Sequence, residues 1–254
     1  MRLGIAAAVL ALLLDACSAP PLPFALAGHT GAQSQDLLLL GEQHDASGHR
    51  RLQRQVVELL AAQGRLAALA VEMAEQGHST AGLGSGASQE QVRSALHWNE
   101  AGWPWPTYAP VVMAAVRNGV PVLGANLPRA QMAAAMADSR LDDKLAGPAL
   151  KAQQQAIRSG HCDLLPESQI APMMRIQIAR DRSMAQVLVK AMVPGKTVVL
   201  IAGSGHVDST LGIPQHLPAS VHVQTVTLPP EPQKKDYCEE MRRQMKRAAA
   251  AATQ

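Results

Sequence analysis

Two copies of the pattern Gly-x-x-His each close a run of aliphatic residues, and this pairing limits the folds open to the chain. Asp36-Leu37-Leu38-Leu39-Leu40 runs into Gly41-Glu42-Gln43-His44, and Thr197-Val198-Val199-Leu200-Ile201-Ala202 runs into Gly203-Ser204-Gly205-His206. Short apolar runs ending in glycine read as buried strands of a parallel sheet. Ligands of such sheets bind where the C-terminal ends of the strands meet. Two histidines far apart in sequence are therefore expected to be neighbours in one cleft.

The rest of the pattern predicts an α/β fold: a central, mostly parallel sheet flanked by helices, with a smaller helical lobe. Strands are expected at 36–41, 67–71, 121–125 and 197–202, with an edge strand over 221–228. The helix over 47–63 should bury Leu52, Val56, Leu59 and Leu60, and Gly64 stops it. Helices follow at 89–96 and 107–118. Residues 129–192 read as the helical lobe, with Pro172 a candidate break in the helix over 166–192. The tail from Tyr237 onward is helical. The full chain of 254 residues fits a single domain, expected over 35–254.

The N-terminus reads as an export signal. Arg2 precedes an apolar stretch, Leu3 to Leu14, too short to span a bilayer. Leu14-Asp15-Ala16-Cys17 then resembles a lipobox, with Cys17 the lipidated residue; the alternative is ordinary signal cleavage in the Ala16 to Ala19 region. Residues 1–17 would be the signal and 18–34 a Pro-, Ala- and Gly-rich tether. The protein is expected at the periplasmic face of a bacterial membrane, as an outer-membrane lipoprotein. That leaves Cys162 and Cys238. In an oxidising compartment an even pair favours a disulfide over the competing reading, a Cys162 thiolate ligand beside His161. The net charge of +3 is too small, and its basic residues too local to the 234–247 tail, to argue for nucleic acid.

Every expected parallel strand delivers polar groups at its C-terminal end: Glu42 and His44, Glu72, Asn126, and Ser204 with His206. Four such ends together argue for a site rather than for four separate loop caps. Glu42, His44, Glu72 and His206 form an oxygen and nitrogen ligand set suited to Zn, Mn or Fe in an open site. His49, near the start of the following helix, lies near the cleft mouth. Aromatics make up only 2% of the chain, yet Trp98, Trp103, Trp105 and Tyr108 fall within eleven residues. On general grounds that stretch is a local mini-core; the other reading is a platform for a flat apolar ligand.

The ordered set of residues resembles the ChaN family of haem-binding iron-uptake lipoproteins. It comprises Gly41-Glu42-Gln43-His44-Asp45 with His49 and Gln53, then Glu72-Met73 with Gln76. Trp98, Trp103, Trp105, Tyr108 and Pro110 follow, then Pro121-Val122-Leu123 and Asn126. Gln177-Ile178-Ala179-Arg180-Asp181 with Met184-Ala185 comes next, and Gly203 to Val207 with Gly212-Ile213-Pro214 completes it. The resemblance spans roughly residues 36–217. It implies haem in a pocket, a homodimer formed on haem binding with two haems face to face, and a tyrosine axial ligand. Tyr108 is the candidate ligand, with His49, Trp98, Trp105 and Asn126 around the haem, and the aromatic stretch becomes a ligand wall. Tiki-like relatives imply an alternative, a metal-dependent hydrolase in which Glu42, His44, Glu72 and His206 hold a divalent ion whose bound water attacks.

Overall fold

The computed structural model describes residues 35–233 and 236–252. The export signal, Cys17 and the tether lie outside the described residues. Five strands, β1 (Leu37–Glu42), β2 (Leu66–Glu75), β3 (Val122–Asn126), β4 (Thr197–Gly203) and β5 (Val223–Thr227), form one sheet in the order β3-β2-β4-β1-β5. All neighbouring pairs are parallel. The aliphatic runs explain two of the three inner strands: every residue of β1 and β4 is buried, as strands covered on both faces require. β5, which alternates valine with polar residues, is one of the two edges, as its pattern predicts.

The helices are α1 (Ser47–Ala62), α2 (Gln89–Ala95), α3 (Trp105–Arg117), α4 (Met132–Ala137), α5 (Gly147–Gly160), α6 (Glu167–Ala191) and α7 (Tyr237–Ala252). Two cores result. Leu37, Leu39, Ala68, Ala70, Val198 and Leu200 of the sheet pack with Met184, Ala185 and Leu188 of α6. Leu127, Leu141, Leu145 and Ile157 pack with Ile170, Met174 and Ile178 from the first half of the same helix. That second core is the helical lobe, and α6 joins the two.

Two expectations change. The buried face of α1 is His49, Arg50, Gln53, Val56, Val57 and Leu60, while Leu52 and Leu59 are only partly covered. Hydrophobic periodicity missed this because three polar residues hold buried positions. Pro172 does not break α6, which runs unbroken over 25 residues. It sits in the second turn, so it removes only one internal hydrogen bond, and Ile170, Met174 and Ile178 bury the helix across it.

The glycines of the paired motif are there for close approach. β1 and β4 are adjacent, with Gly41 opposite Ala202 and Glu42 opposite Gly203. A Cβ on Gly41 would lie 2.3 Å from Val207 Cγ2 and 3.1 Å from Ser204 Cα; one on Gly203 would lie 2.9 Å from His44 Nε2. Each glycine thus makes room for the loop that carries the other motif's histidine.

Candidate functional site

The strand ends bring Glu42, His44, Glu72, His206 and Asn126 together, and β2 adds a local irregularity. Val71 pairs with Gly124 but Glu75 with Asn126, so β2 bulges over residues 72–74. Bulges re-aim side chains, and this one carries Glu72, 3% exposed. The Glu72 carboxylate accepts the Gly203 N–H at 2.7 Å. It also faces both histidines, with Oε1 3.4 Å from His206 Nε2 and Oε2 3.9 Å from His44 Nε2. The Asn126 amide donates to the Glu72 carbonyl at 3.0 Å and so holds the bulge.

From Glu72 a chain of ionisable groups runs both ways. On one side His206 Nδ1 meets Asp181 Oδ1 of α6 at 2.6 Å, with the Gln177 amide 3.1 Å away. On the other, His44 Nδ1 meets Glu42 Oε1 at 2.8 Å. The buried Glu42 carboxylate also accepts from Arg50, from Gln53 Nε2 at 2.5 Å and from the Tyr108 hydroxyl at 2.9 Å. Arg50 donates to the Tyr108 oxygen at 3.1 Å and to the His44 carbonyl at 2.7 Å, and its guanidinium lies 4.4 Å from the Tyr108 ring centroid.

The electrostatics follow from this wiring. Burial works against charge on His206, but Glu72 and Asp181 outweigh it and hold the imidazole up to about 10. Burial would raise Glu72, yet His206, His44 and the Gly203 N–H keep it well below the usual carboxylate range. Burial pushes Asp181 up to about 6 against the pull of His206. Burial, then the Glu42 charge, raises the Tyr108 phenol above its ordinary range.

The expected metal centre finds no support in this wiring. Among the described residues, no group of three or more His, Cys, Asp or Glu side chains is arranged to hold a metal ion. The four expected ligands are neighbours, but the lone pairs of Glu42, Glu72 and His206 are engaged within the cluster, and only His44 Nε2 is left without a hydrogen bond, 3.9 Å from Glu72. Glu42 takes four donors, and both His206 nitrogens face carboxylates. The cluster is a hydrogen-bond chain of paired charges that opens to solvent at His44, whose side chain is 41% exposed. Two buried oxygens, Asp181 Oδ2 and Asn126 Oδ1, face no donor, so the floor keeps unused acceptor capacity.

The aromatic stretch forms one wall of that opening. Trp103 stands edge-on to His44 at 4.8 Å and to Tyr108 at 5.9 Å. Trp98 packs edge-on to Trp105 at 5.0 Å and lies 5.8 Å from Tyr108. Trp98 donates to the Trp103 carbonyl and Trp105 to Gln89, each at 2.7 Å. The residues expected to touch a cofactor are placed unevenly. Tyr108, His49, Trp105 and Asn126 are buried and stand behind the opening; Trp98 is half-buried. His49 is held by backbone on both sides: Nδ1 accepts the Gln43 N–H at 3.1 Å and Nε2 lies 2.8 Å from the Pro229 carbonyl. Cys162 and Cys238 are joined in a disulfide. Arg50 as counter-charge to Glu42, and Asp181 as partner of His206, are members that strand-end reasoning did not supply.

A parallel sheet with a carboxylate–imidazole chain at its strand ends, walled by aromatics packed edge-on, defines an α/β protein built around one strand-edge site. The chain belongs to the family described as haem-binding uptake, Tiki superfamily, ChaN, which it matches over residues 30–217. It is similar to a solved structure of ChaN from Campylobacter jejuni described as showing cofacial haem binding. The two are 26% identical, with a TM-score of 0.66 over 81% of this chain and 85% of that one. A structure of the type III effector HopBA1 is 17% identical, with a TM-score of 0.42 over 75% of each chain. No curated protein matches the sequence.

Proposed function

We propose that this protein binds haem at the His44 opening and serves in haem or iron acquisition. The observation that carries the reading is the family match over residues 30–217, supported by the 26% identical ChaN fold. The residues at the rim suit the ligand. Histidine and tyrosine are both haem-iron ligand types. His44 and Tyr237, 45% exposed, are open to solvent, and Tyr237 hydrogen-bonds to Asp45, next to His44 in the chain. Trp103 adds a ring beside His44, and flat apolar ligands favour such walls. When bound, haem would supply an iron centre; the chain's own part is to hold the rim and exclude water from one face. A lipid anchor on Cys17, placement at the periplasmic face of an outer membrane and a haem-linked homodimer are parts of the same proposal.

The test is titration of the purified protein with ferric haem. A saturable Soret change at stoichiometric haem is the expected result; a linear, unsaturable change would refute the reading.

A further inference from the structure

The His44 loop is held by a segment that lies beyond the region matched by the family. Residues 228–233 and 236–238 follow the edge strand and contact the loop around His44. The Leu228 N–H donates to the Gly41 carbonyl at 2.9 Å, and the Pro229 carbonyl faces His49 Nε2 at 2.8 Å. Glu231 makes a reciprocal pair of bonds. Its N–H donates to Gln43 Oε1 at 3.2 Å, and its carboxylate accepts the Gly48 N–H at 2.9 Å, in the first turn of α1. A carboxylate at a helix N-terminus meets unsatisfied N–H groups and the positive end of the dipole. Gly48 leaves the space, since a Cβ there would lie 2.2 Å from Glu231 Oε1. Farther on, Tyr237 bonds to Asp45, and the next residue, Cys238, is bonded to Cys162 at the far end of α5. Residues 43, 45, 48 and 49, on both sides of His44, are therefore tied to a strap whose end is covalently latched.

We propose that this strap sets the position of His44, with Glu231 as the positioning residue and the Cys162–Cys238 disulfide as the latch. Opening the latch is a thiol–disulfide exchange. A dithiol reductant attacks, the Cys162–Cys238 bond breaks, both sulfurs leave as thiols and the reductant closes its own disulfide. Haem affinity is then lower in the reduced protein than in the oxidised one. This consequence rests on the haem reading, but the positioning does not.

Two measurements separate the two. Hydrogen exchange on the full chain compares the oxidised protein with Glu231→Ala and with the Cys162→Ser/Cys238→Ser variant. The strap predicts faster exchange confined to residues 43–50, with 37–41 of β1 unchanged; unchanged exchange over 43–50 overturns it, whether or not haem binds. Ferric haem titration of the same proteins is expected to give about tenfold weaker binding and a moved Soret band in both variants. Glu231→Gln keeps an oxygen acceptor for Gly48 and should recover most of the affinity, which a general loss of stability would not do. Wild-type haem affinity in Glu231→Ala overturns the positioning role, whereas a wild-type protein that binds no haem refutes the functional reading alone.

Discussion

Tyr108 and Tyr237 divide the roles open to a tyrosine in this chain. The Tyr108 hydroxyl is one of four donors to the buried Glu42 carboxylate, and a hydrogen bond to a charged group contributes about 1.5–3 kcal/mol. Tyr108→Phe is expected to lower stability by that order in urea unfolding. It should leave the ferric charge-transfer bands of bound haem in place, because its phenol is buried and held in its protonated form. Tyr237→Phe should do the reverse, shifting those bands with little effect on stability; a shift in Tyr108→Phe instead would return the ligand role to the buried phenol. At this scale much of the site is legible from sequence. Glu42, His44, Glu72 and Asn126 are polar residues ending or interrupting apolar runs, and His206 closes the second Gly-x-x-His. Asp181 is not legible that way, because it lies in mid-helix. It does leave a trace: Ile178, Asp181, Met184 and Leu188 follow helical spacing and all are buried, so an acid falls on an apolar face where only a buried cation explains it. Arg50 and Gln53 hide for the same reason, as polar residues on the covered side of α1.

Between elements, the coupling of β2, β4 and α6 runs through the charged His206. Its folded pKa is raised from 6.5 to about 10. The stability it adds is therefore fully present below about pH 6.5 and is lost as pH rises through about 10. Glu72 works at the other end: its lowered pKa adds stability above 4.5 that is lost on acidification. The melting temperature should accordingly decline across pH 6.5–10, and His206→Gln should flatten that slope while lowering the whole curve. A slope that survives the substitution would show that other groups carry it. Element existence, and the meeting of the two Gly-x-x-His strand ends, follow from periodicity and strand-end chemistry. The face of α1 and the continuity of α6 do not, because both depend on what a neighbouring element offers to a polar residue or a proline.

For the molecule as a whole, the family relation suggests assembly as well as binding. If haem is held face to face between two copies, adding one equivalent of haem should double the mass in sedimentation, and loss of haem should reverse it; a monomer at saturating haem would rule out the cofacial arrangement for this protein. Palmitate labelling that disappears in Cys17→Ser would locate the anchor. The sheet order has a consequence for how the chain comes to be folded. β4 is the central strand, and β1 pairs only with β4 and β5, so the first strand synthesised has no partner until the last third of the chain exists. Before that point β2 and β3 can pair, but Glu42 and His44 have neither Gly203 beside them nor the strap above them. Sheets closed by distant segments form late. The edge that carries Glu42 and His44 therefore assembles as one of the final events, when most of the chain is present.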